Sequence, residues 1–158
     1  MRMPTVRQFL SIVAAATLVT VAALWQAPAV GAQDDEIDCA QEQMTQQAMN
    51  ICAGRARAES QASLDQLLAE LGGKFGDSAD GAELAAVQEQ WERFRDLDCA
   101  WEAMPYAGGS IQPLIGASCL EAHNRARIER LRIFLCDGGA MTGPCEASEK
   151  YAHDGSQE

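Results

Sequence analysis

Few residues of this chain could carry chemistry: six cysteines, two histidines and a surplus of carboxylates. Cys119 and His123 stand four apart on a helical stretch, which would put a thiolate and an imidazole on one face, as a zinc site requires. A zinc site also needs repeated Cys/His clusters, and no second pair exists; His153 is alone in a polar tail. Neither a metal nor a cofactor is expected. Nucleophilic catalysis needs an activated thiolate or hydroxyl beside a base. His123 is the one histidine of the expected globular part, and its neighbour Cys119 is expected to be oxidised and so lost as a nucleophile. Nothing in the sequence pairs two carboxylates, and there is no glycine-rich phosphate loop after a strand and no serine elbow. The chain reads as a binding protein and not as an enzyme.

The cysteines point instead to a framework. Residues 1–32 have the organisation of a secretory signal: Arg2 and Arg7, an uncharged apolar run from Phe9 to Trp25, and a small-residue exit with cleavage expected near Ala32. The alternative is a retained anchor, since the apolar run falls just short of a membrane span. Export places the protein in the periplasm or outside the cell, where an even number of cysteines forms disulfides. Six cysteines allow fifteen pairings, and sequence alone does not choose among them. Loop spacing favours Cys136–Cys145 across a Gly- and Pro-containing turn and Cys99–Cys119 between two helices, which leaves Cys39–Cys52. Redox exchange through a labile bridge lacks the Cys-x-x-Cys spacing it normally uses.

Removing the signal changes the charge balance. The whole chain carries −11; from residue 33 onward ten Lys and Arg face 23 Asp and Glu, a formal charge of −13. Such a chain cannot neutralise phosphates, so nucleic acid is excluded as a partner. No membrane association is expected once the signal is cleaved.

The elements that must hold these residues are helices. After an acidic mobile arm (33–38), Thr45 can cap a helix from about Gln46 to Leu71, ended by Gly72-Gly73. Asp80 and Glu83 resemble a capping box for a second helix. Its Leu84, Val87, Trp91, Phe94, Leu97, Trp101 and Met104 follow one another by threes and fours until Pro105, so this stripe is expected to supply the largest core side chains. Pro113 can begin a third helix, with Leu114, Ala117, Leu120, Ile128, Leu131 and Leu135 as its apolar face. Arg125, Arg127, Arg130 and Arg132 read as surface ion-pairing residues. Nothing alternates like a strand. The expected fold is all-α, a small antiparallel three-helix bundle stapled by disulfides, with a helical domain over 39–136. Residues 137–158 are expected to form a disulfide-clipped loop followed by a mostly disordered tail.

Several motifs fall in a recognisable order. Asp38-Cys39, Thr45 and Met49-Asn50-Ile51-Cys52-Ala53 open the domain. Gln88-x-x-Trp91-x-x-Phe94-Arg95-Asp96-x-x-Cys99 forms its centre. Gly108-Gly109-Ser110, then Cys119, Arg127 and Leu131, complete it. Together they resemble the LprI-like lysozyme-inhibitor family over roughly Cys39 to Leu135. The chain departs from the family pattern at Leu64-Asp65-Gln66-Leu67-Leu68, at Asn124 where a threonine is usual, and in the additional Cys136 and Cys145. The resemblance implies a helical, disulfide-bonded fold in which Trp91, Phe94, Arg95, Asp96 and Arg127 are structural motif residues.

It also implies a non-enzymatic protein that binds and blocks a lysozyme. Strong acidity suits a basic protein partner. The candidate binding loop is Tyr106, Gly108, Gly109 and Ser110, an aromatic beside glycines that could enter a cleft; the simpler reading is that the glycines let the chain turn. The competing function is an envelope structural or stress-related interaction protein with no lysozyme target. Trp91 is expected to be a core residue covered by the stem of Arg95.

Overall fold

The computed structural model describes residues 37–41 and 45–152. The expected export signal, the arm up to residue 36 and residues 153–158, His153 among them, lie outside the described residues. All regular structure in the described part is helical: α1 (Gln46–Phe75), α2 (Ala79–Ala103), α3 (Gln112–Leu131) and a one-turn α4 (Glu146–Glu149), with short 3-10 turns at Met104–Tyr106, Arg132–Leu135 and Gly139–Met141. None of these helices is long and apolar enough to cross a membrane.

Cross-links between helices fix the topology. Asn50 donates to the Ser110 carbonyl (2.9 Å) at one end, and Lys74 donates to the Leu135 carbonyl (2.8 Å) at the other, so α1 and α3 run in the same direction. Going down α2, Cys99 bonds Cys119, Asp98 meets His123 and Gln88 meets Arg127, so α2 is antiparallel to α3. The fold is therefore an up-down-up bundle. Three disulfides staple it, Cys39–Cys52, Cys99–Cys119 and Cys136–Cys145.

Helix ends differ from the sequence expectation for local reasons. α1 passes through Gly72 and Gly73 and stops at Gly76, whose φ of 55° suits glycine and whose N–H reaches the Gly72 carbonyl at 2.8 Å. Each helical glycine costs about 1 kcal/mol against alanine. The extra turn offsets this by packing Phe75 against the core and carrying Lys74 to the Leu135 carbonyl. α2 is capped by Ser78, whose hydroxyl accepts from the Gly81 N–H at 3.2 Å, and not by Asp80. A side chain at position 81 would meet the Gly76 carbonyl oxygen at 2.5 Å, so glycine is needed where the two helices turn.

The core lies elsewhere than the aromatic stripe predicts. Leu64, Leu67 and Leu71 of α1 pack with Ile128 and Leu131 of α3 and with Tyr151, while Leu84 and Trp91 only flank this cluster. The rest of the α2 stripe is on the surface: Phe94 is 55% exposed, Leu97 73% and Trp101 66%, with Val87 and Met104 also exposed. The reason is geometric. From Leu84 to Met104 the stripe averages about 3.3 residues per step against 3.6 per helical turn, so it slides roughly 160° around α2 along its length. Leu84 and Trp91, in its first half, reach the core, while Val87 between them and all the later members face outward. The face that α2 turns inward is smaller and more polar: Gln88, Cys99 and Ala103.

The chain beyond Cys136 is also more ordered than expected. The Cys136–Cys145 bridge leads into α4, where Ser148 is fully buried, its hydroxyl accepting from the Cys145 N–H at 3.0 Å. Tyr151 then inserts into the core and donates to Glu70 at 2.8 Å. Residues 146–152, within the 137–158 stretch expected to end in a mostly disordered tail, thus pack against the bundle.

Candidate functional site

Two regions collect the motif residues: a polar seam inside the bundle and the outer surface of α2 with the loop that follows it.

The seam begins at Asn124, only 1% exposed on α3. A buried amide must find partners for both its ends. Its Oδ1 accepts from Arg95 Nη1 at 2.8 Å, and its Nδ2 donates to Ser60 Oγ at 3.2 Å and Gln61 Oε1 at 3.3 Å. Arg95 also donates to Gln61 Oε1 (2.8 Å) and, through Nε and Nη2, to Asp96 Oδ1 (2.9 and 2.8 Å). One guanidinium therefore ties α2 to both α1 and α3, and Asp96, itself exposed, holds its outer edge.

Trp91 lies between two cations, with the Arg95 guanidinium carbon 5.1 Å and that of Arg127 5.4 Å from its ring. Arg127 Nε donates to Gln88 Oε1 at 3.1 Å, while Nη2 is buried without a hydrogen-bond partner. The π face of Trp91 partly compensates that charge. Burial first, and the nearby Arg130 second, pull the Arg127 pKa below the ordinary arginine value. Arg127 is thus turned into the bundle and is no surface ion-pairing residue, unlike Arg125 and Arg132, which bond Glu121 and Glu129 at 2.7 Å. These motif residues tie the helices together, and Arg95 and Asp96 also line a groove with Arg57, Gln61 and Cys99.

His123 comes closest to reactive chemistry. Its Nε2 lies 3.0 Å from Asp98 Oδ2, and Phe94 packs edge-on against it at 5.7 Å. The sulfurs of Cys99 and Cys119 lie within 4.8 Å of its ring nitrogen. They are bonded to each other, so neither can serve as a thiolate ligand or nucleophile in this state.

The loop after α2 is fixed by backbone bonds. Gly109 N–H donates to the Tyr106 carbonyl (2.9 Å), Gly108 N–H to Gln112 Oε1 (3.1 Å), and the Ser110 carbonyl accepts from Asn50. Gly108 has φ 77°, which requires glycine for the turn. Tyr106 stays exposed at the bundle's end, and Met104 and the α2 residues Trp101, Leu97 and Phe94 are exposed as well. Tyr106 shares a groove with Trp101 and Met104, the last members of the stripe. The stripe was legible in the sequence as apolar but not as exposed; its average spacing was the available signal. The hub role of Asn124, hidden in a polar interruption of α3, had none.

No match is found among curated proteins or among solved structures. The family model for the lysozyme inhibitor LprI matches residues 37–131, from just before the first disulfide to the end of α3. Because that match covers more than half of the chain, and its span contains the whole Arg95–Asn124–Trp91 seam, the protein belongs to the LprI lysozyme-inhibitor family.

Proposed function

We propose that this protein is an exported, non-enzymatic binding protein that docks on a basic lysozyme and blocks it, acting in the periplasm or outside the cell after cleavage near Ala32. The single observation that carries the docking role is the exposed α2 stripe, from Val87 through Trp101 to Met104. Several large apolar side chains exposed along one helix mark an interaction site, and aromatic residues are the usual anchors of interfaces. α2 itself carries seven carboxylates against two arginines, so the field around the stripe attracts a cationic partner. Family membership supports a lysozyme as that partner. The Tyr106–Ser110 loop, rigid and at the end of the stripe, is the element able to enter a cleft.

A lysis assay tests this. Cell-wall turbidity loss is followed with several lysozyme types, at low salt, over rising concentrations of the oxidised protein. Inhibition that weakens with added salt is expected. No slowing at a large molar excess of any lysozyme would end the lysozyme reading. An envelope protein with another partner would use the same surface, and a reproducible non-lysozyme partner together with no inhibition would favour that function.

A further inference from the structure

Where the Met104–Tyr106 turn folds back toward α3, the end of the α2 stripe becomes concave. Trp101, Glu102, Met104, Pro105, Tyr106 and Ile115 line a groove of about 470 Å³, within the range of small-ligand clefts. We infer that this groove seats a lysine or arginine side chain projecting from a basic protein. The partner's identity as a lysozyme rests on the function proposed above, but the groove's chemistry requires only a basic protein.

The lining explains the choice. Met104, Pro105 and Ile115 offer aliphatic surface of the kind that covers the methylene stem of a long cationic side chain. Trp101 and Tyr106 offer π faces that attract its charged head, and Glu102 offers a carboxylate to pair with it. Among the described residues Glu102 has no hydrogen-bond or ion-pair partner. The two arginines of α2 are already engaged, Arg93 with Glu89 and Arg95 with Asp96, Gln61 and Asn124. No cation of α2 is therefore left to fill the groove.

Other occupants fit less well. A neutral apolar group would strip water from Glu102 and return nothing to it. An anionic ligand would meet both that carboxylate and a chain of net charge −11. A second copy of the chain brings the same charge and meets the same repulsion.

The test uses two arms with the oxidised protein. In the first, nuclear magnetic resonance follows the Trp101 indole, assigned with W101F, during titration with tetralysine and with tetraglutamate. Movement with tetralysine alone supports the groove; no movement, or equal movement with both peptides, overturns it. In the second, binding of a basic c-type lysozyme is measured for W101A, E102Q and D65N, the last removing an exposed carboxylate of α1. Losses of about tenfold for W101A and about fivefold for E102Q are expected, with less than twofold for D65N. Equal loss for E102Q and D65N would mean that only net charge matters, which overturns the groove. Lysozyme binding that ignores both groove variants overturns it as well, while leaving the lysozyme reading intact. A tetralysine response without lysozyme binding keeps the groove and sinks lysozyme as the partner. Unchanged melting of E102Q guards against misfolding as the cause of any loss.

Discussion

The same three-carbon deletion, made at Leu67 and at Leu97, should have very different costs. Leu67 is fully buried between Leu64, Leu71, Ile128 and Leu131. Removing its side chain forfeits transfer energy and leaves a cavity, a loss of about 2–5 kcal/mol. In a thin bundle whose helices can partly close the gap, about 3 kcal/mol is the expected value. Leu97 is 73% exposed on α2, so Leu97→Ala should change stability by no more than about 0.5 kcal/mol. Urea unfolding followed by far-ultraviolet circular dichroism, with the disulfides intact, gives both numbers from midpoint shifts at constant slope. For a domain of this size, roughly 3–6 °C of melting temperature per kcal/mol separates the two variants by about 7–15 °C. The helix-2 stripe read from sequence alone predicts near-equal losses. Near-equal losses, or a larger loss at Leu97, would refute the placement of the core between α1 and α3.

Asn124→Leu should cost about 2–3 kcal/mol, because Arg95 and Ser60 lose a buried partner that leucine cannot replace; a urea midpoint within error of the parent would deny the hub. Trp91→Ala should cost about 2–3 kcal/mol, below the 3–5 kcal/mol of a fully enclosed tryptophan, since Trp91 only flanks the core. Removing the Cys136–Cys145 bridge by paired serines should cost about 3 kcal/mol and speed proteolysis after α3, with unchanged cleavage arguing that Tyr151 holds the segment alone. Burial, then the hydrogen bond to Glu70 and its charge, push the Tyr151 pKa from 10.0 up to about 12. The folded state therefore favours the neutral phenol: its contribution is complete below about pH 10 and is lost as pH rises towards 12. Comparing Tyr151→Phe with the parent at pH 9 and pH 11.5 isolates this effect, and an equal fall in both proteins would count against it.

Hydrophobic period, capping residues and proline stops determine that this chain forms three long helices joined by short turns, because these are properties of single segments. Thr45 and the Pro105 stop act within a few residues, and the cysteine spacing suggested which loops could close. Which face of α2 is buried is not a local property. The stripe's drift around the helix allows either end to face inward, and the choice falls to what α1 and α3 offer: a leucine cluster that already satisfies itself, and a polar seam needing Gln88 and Arg95. The same holds for Tyr151, whose polar surroundings in sequence hide that Glu70 and the core lie in reach only after the Cys136–Cys145 bridge turns the chain back. Sequence alone set the helices and the acidity. The tertiary structure decided that most of the large apolar side chains of α2, Trp101 and Phe94 among them, remain outside, where a partner can meet them, because burying the polar seam and the leucine cluster together leaves interior room only for Leu84 and Trp91.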